Sequence, residues 1–158
     1  MASILSPTLE IANLGPARDS KGNRFRLKAT CKVAFNELEK CLMKLCDKGV
    51  WYYLEVWCYA EDNPTDHSSD SPLFFIRKEA FPNEHMGQGE EFTYETTGSA
   101  LDEDPGPAPP EPENPPPPPW AAPPPGQDEI YVRFKLWNML SNTVVAQADT
   151  NVVKSVFY

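Results

Sequence analysis

The chain has 158 residues, 41% hydrophobic and 23% charged, enough apolar material for one core and too much for a disordered chain. The net charge of −9 is uneven: nine Lys/Arg stand against five Asp/Glu in residues 1–50, two against seventeen in residues 51–132, and three against one in residues 133–158. An acidic middle argues against a nucleic-acid partner, because phosphate contacts need a basic face, and no run approaches the roughly 18 apolar residues of a membrane span.

The opening Met1–Pro7 lacks the basic start and long apolar run of a signal peptide, so a cytoplasmic location is expected, with release as part of an assembly compatible with it. Thr8 to Leu14 reads as an edge strand. From Asn23 to Phe35 the odd positions Phe25, Leu27, Ala29, Cys31, Val33 and Phe35 are apolar while Arg24, Arg26, Lys28, Thr30 and Lys32 alternate with them. That period of two marks a half-buried strand. Asn36 then offers a cap with Glu39 three residues on, and Leu38, Cys41, Leu42, Leu45 and Cys46 recur at helical spacing, which predicts a short helix across one end of a sandwich.

Val50 to Ala60 alternates again, with Val50, Tyr52, Leu54, Val56, Cys58 and Ala60 on one face and Trp51, Tyr53, Glu55, Trp57 and Tyr59 on the other. Two apolar faces predict a central strand whose second face is covered by a loop, by the proline-rich arm or by another molecule. Leu73–Lys78, Glu91–Thr97, Ile130–Trp137, Thr143–Ala148 and Asn151–Phe157 complete six or seven short strands. The expected fold is all-β: an antiparallel β-sandwich of Ig-like or C2-like architecture, with one short helix, forming a single domain over residues 1–158.

Residues 105–125 hold thirteen prolines around Trp120, which admits polyproline II or coil but neither helix nor central strand. The strands on each side are too few for separate cores, so residues 99–129 read as an acidic proline-rich arm inserted between two strands. Pro117, Pro118, Pro119 and Trp120 are its candidate contact residues. They suit an aromatic groove on a partner, or the aromatic face of Trp51, Tyr53, Trp57 and Tyr59 in the same or a neighbouring copy.

The acidic residues Asp62, Asp66 and Asp70 lie in one loop, and Asp102, Asp104 and Asp128 flank the arm. If the intervening strands run up, down and up, both loops emerge at one end. Oxygen-rich loops converging there suit Ca²⁺, and the arrangement resembles C2-like or cadherin-like domains in architecture, without a dedicated loop motif.

Catalysis has little support. His67 and His85 sit in loops with no nucleophile motif, and Cys41, Cys46 and His85 lack zinc-ligand spacing. The four cysteines, Cys31, Cys41, Cys46 and Cys58, are expected to be reduced thiols. Gly87-Gln88-Gly89 reads as a hairpin tip rather than a phosphate loop. The function expected is a non-enzymatic module acting by protein–protein contact, foremost as a structural or assembly subunit and otherwise as an adaptor, its partner a protein, with a second copy of the chain (homo-oligomer or larger assembly) among the candidates. The alternative is a Ca²⁺-dependent membrane- or glycan-binding domain using the acidic loops; no other cofactor is expected.

Overall fold

Alternating side chains cannot bury one face without a second layer, and the chain supplies two. The computed structural model describes residues 1–18, 22–45, 51–62, 64–84, 86–102 and 128–157. β1 (Ser3–Pro16), β2 (Asn23–Ala34) and β5 (Glu90–Thr97) form a three-stranded sheet in the order β1-β2-β5. β3 (Tyr52–Ala60), β4 (Pro72–Phe81), β6 (Asp128–Asn138) and β7 (Thr143–Asp149) form the second sheet in the order β4-β3-β6-β7, with β8 (Val153–Ser155) also paired to β6. All pairings are antiparallel. The chain is thus an all-β sandwich, and β3 is an interior strand.

The inward faces meet in one core. Phe25, Leu27, Ala29, Cys31 and Val33 of β2 face Leu54, Val56 and Cys58 of β3 and Ile130, Val132, Phe134 and Leu136 of β6, all buried. Phe92 of β5 reaches Phe134 across the gap, ring centroids 6.1 Å apart, and Phe74 of β4 stacks on Tyr94 at 4.9 Å. Each large apolar side chain sealed in this way contributes about 1.5–3 kcal/mol. β1 runs further than its sequence predicts because the Ser6–Pro7 step breaks the alternation: Ser6 takes φ +50°, and the register with β2 shifts between Leu5 and Thr8. The bulge interrupts pairing on an edge strand.

The β1 edge is also tied across to the other sheet. Asn151 accepts from the Leu9 N–H through Oδ1 at 2.8 Å and donates to the Leu9 carbonyl through Nδ2 at 3.0 Å, acting as a one-residue strand. The final strand is correspondingly short, three residues where alternation over 151–157 predicted more, because Asn151 is spent on this bridge before β8 begins.

α1 (Glu37–Leu45) starts where expected, with Asn36 Oδ1 accepting from the Glu39 N–H at 2.8 Å. Its orientation is the unexpected part. The stripe of Leu38, Cys41, Leu42 and Leu45 faces solvent, Leu38 at 68% and Leu45 at 80% exposure, and only Met43 is buried. Cys46 lies outside the described residues. After β5 a single helical turn, α2 (Gly98–Leu101), seals Leu101 into the core. Among the described residues no helix is long and apolar enough to cross a membrane.

Candidate functional site

In a strand, side chains that do not face the core must face outward, and in the second sheet the outward positions form rows across the strands. One row is Ala80, Tyr53, Trp137 and Val144; the next is Lys78, Glu55, Lys135 and Gln147; a third is Phe75, Trp57, Arg133 and Asp149. Tyr53 and Trp137 stack at 5.8 Å with 12° between their planes, and the Lys78 ammonium lies 3.9 Å from the Tyr53 ring centroid. Trp57 meets Phe75 edge-on at 5.2 Å and donates its indole N–H to Glu55 Oε2 at 2.9 Å. Phe75 is 43% exposed and Tyr53, Trp57 and Trp137 are half-buried, so these rings hold one another upright while each keeps surface toward solvent.

At the end of this face the sheet carries a polar cluster. Arg133 grips Asp149 in a bidentate pair, Nε to Oδ1 at 2.8 Å and Nη2 to Oδ2 at 3.1 Å. The same Nη2 reaches the Tyr131 hydroxyl at 3.2 Å, and Tyr131 donates to Asp70 Oδ2 at 2.8 Å. Asp70 Oδ1 accepts from the Asp62 N–H at 2.9 Å, which pins both ends of the β3–β4 loop. His67, in a one-turn 3₁₀ helix (His67–Ser69) of that loop, stacks on Tyr131 at 4.6 Å. Its Nδ1 lies 3.0 Å from Asp149 Oδ2 and its Nε2 lies 2.8 Å from Glu61 Oε2.

The histidine geometry favours the charged ring. Ionised carboxylates only accept, and a neutral imidazole has a single N–H, so both bonds are made together only by the imidazolium. The Asp149 bond, with a further contribution from Glu61, raises the His67 pKa against the burial that would lower it. Burial pushes the Asp149 carboxyl up, but the Arg133 and His67 bonds outweigh it and hold the group below the ordinary range. Burial, reinforced by Asp70, raises the Tyr131 phenol, which stays a donor. With both ring nitrogens engaged, this cluster clamps a loop to the sheet.

Comparison with protein-family models, curated proteins and solved structures finds no match for this chain. The reading of the site therefore rests on its own residues.

Of the sequence-predicted contact residues, Tyr53 and Trp57 lie on the outward face. Trp51 does not: its N–H donates to the Phe81 carbonyl and its carbonyl accepts from the Met139 N–H, both at 2.9 Å, but its ring packs against the core. Tyr59 is buried between Tyr131, stacked at 5.6 Å, and the Arg133 guanidinium, 4.6 Å from its ring. Pro117, Pro118, Pro119 and Trp120 lie outside the described residues, as do Asp104 and His85.

Of the aspartates named for Ca²⁺, Asp104 lies outside the described residues. Asp70 has both oxygens occupied by protein donors, Asp66 caps the Ser68 N–H at 2.9 Å, Asp102 closes α2, and Asp128 opens β6. Nearby, Glu129 is paired to Lys154 at 2.7 Å, and Glu61 is held by His67. Among the described residues no group of three or more His, Cys, Asp or Glu side chains is placed to hold a metal. Cys31 and Cys58 are buried free thiols, each pushed up to about 12 by burial.

Sequence reasoning passed over Phe75, Lys78, Arg133, Lys135, Trp137 and Asp149. The available signal was parity: in β6 the positions that alternate with the buried Val132, Phe134 and Leu136 are Arg133, Lys135 and Trp137, which must share a face with Tyr53 and Trp57 once β6 pairs with β3.

Proposed function

We propose that this chain is a non-enzymatic β-sandwich module that acts by protein–protein contact, as a subunit of an assembly that includes copies of itself. The observation that carries this reading is the outward face of β4, β3 and β6, where Phe75, Trp57, Tyr53 and Trp137 stand as a preformed aromatic patch with Lys78, Glu55 and Lys135 set between them. Aromatic rings held rigid by their neighbours lose little entropy on docking, and such residues dominate the energetic centres of interfaces. Interspersed charges of both signs favour a self-complementary contact, because a two-fold axis can set Lys78 or Lys135 of one copy against Glu55 of another. The proline-rich stretch 105–125 is the expected second participant, since extended proline segments dock on aromatic surfaces. A cytoplasmic setting goes with this reading, as buried free thiols at Cys31 and Cys58 suit a reducing compartment.

Hydroxyl-radical footprinting of dilute and concentrated protein tests it. Oxidation of Trp57, Phe75 and Trp137 should fall at high concentration while exposed Met139, at the turn after β6, stays unchanged. Equal labelling of the aromatic face at both concentrations would count against self-contact.

A further inference from the structure

β2 is paired on both sides for most of its length, but not at its end. Its ladder with β5 stops at Cys31↔Glu90, whereas its ladder with β1 continues through Lys32, Val33 and Ala34. The chain leading into β5 cannot extend the pairing because it turns away through Gly87 and Gly89, at φ +88° and +92°. At Gly87 an added Cβ would meet nothing within 4 Å, so the space it vacates stays open.

That space is a groove of about 510 Å³ lined by Lys32, Val33, Ala34, Lys40, Lys44 and Met86, together with Phe35 and Gly87. Successive residues of an antiparallel strand direct their N–H and C=O groups to alternate sides, so at least one donor and one acceptor of Lys32–Ala34 face into it. Among the described residues no hydrogen bond engages those groups from the β5 side. Phe35, Val33 and Met86 give the groove an apolar floor.

Its rim is basic in a protein whose net charge is −9. Lys40 and Lys44 stand one helical turn apart on α1, and Lys32 projects from β2. Among the described residues neither Lys32 nor Lys44 has an ion-pair partner, and Lys40 meets only the exposed Glu37, at 3.3 Å. Among the described residues the lining contains no carboxylate.

We propose that this groove binds an extended acidic peptide segment of a partner protein, which adds a short strand to β2 beyond the end of β5. The segment's backbone pairs with Lys32–Ala34. Its acidic side chains meet Lys32, Lys40 and Lys44, and the apolar side chain between them rests on Val33, Phe35 and Met86. Strand addition of this kind takes affinity from main-chain bonds and selectivity from alternate side chains. The groove lies on the other sheet from the aromatic face, so the two surfaces can be tested apart.

The test is an NMR titration of the full chain with a blocked Glu-Val-Glu-Val-Glu peptide, its Lys-for-Glu counterpart, a version N-methylated at alternate backbone amides, and glutarate. Saturable shifts at the amides of Lys32, Val33, Ala34 and Gly87 are expected with the acidic peptide. The lysine peptide, the N-methylated peptide and the Lys32→Glu/Lys44→Glu variant should each weaken binding by about tenfold or more. Both lysines are exposed, and the N-methylated peptide needs no variant at all. Three results would overturn the proposal: no saturable binding at millimolar peptide, binding indifferent to N-methylation and charge reversal, or glutarate binding as tightly as the peptide, which would mark a small-anion site.

Discussion

His67 ties the β3–β4 loop to the sheet through a charge that only its protonated ring carries. The charged and titratable groups around it are Glu61, Asp149, Asp70, Asp66, Arg133 and Tyr131. Because the folded-state pKa is raised, the stabilisation is complete below the unfolded value, near 6.5, and fades as the pH rises through the higher folded value. His67→Gln should therefore cost about 1–2 kcal/mol at pH 6, less than a fully buried charged bond because the side chain keeps 25% exposure, and should cost less at pH 9. Urea denaturation at the two pH values measures this; an equal loss at both would mean that the bonds do not depend on the imidazolium.

At the scale of elements, the bridge from Asn151 to β1 joins the two sheets more specifically than packing does. Asn151→Ala removes both partners of Leu9 at once and should cost about 2 kcal/mol, with faster amide exchange at Leu9; unchanged exchange there would show that β1 is held by β2 alone. Elements of this kind separate what the sequence makes legible from what it hides. Alternation located β2, β3 and β6, and Asn36 marked the start of α1, because these signals act between residues one to four apart. The orientation of α1 was hidden: periodicity shows that Leu38, Cys41, Leu42 and Leu45 share a face, and it carries no information on which face meets the core. Trp51 misled for a related reason: its backbone still bonds to Phe81 and Met139, yet its ring packs against the core, and parity carries no information on that. The Arg133–Asp149–His67 cluster joins residues 16 and 82 positions apart and the open end of β2 depends on where β5 turns away, so both follow from sheet register and neither has a local pattern.

For the molecule as a whole, the sandwich carries two unlike surfaces: an aromatic face with mixed charge on the second sheet and a basic groove at the corner of the first. Among the described residues of the acidic loops, Asp70, Glu61 and Glu129 are engaged in internal bonds. Contact through the aromatic face is tested by the mass in solution, measured by light scattering over a concentration series. The mass of the intact chain should grow with concentration, and Phe75→Glu, on an exposed ring, should hold it at the monomer value with the fold unchanged by circular dichroism. A chain that stays monomeric throughout, or one whose association ignores Phe75→Glu, would contradict it.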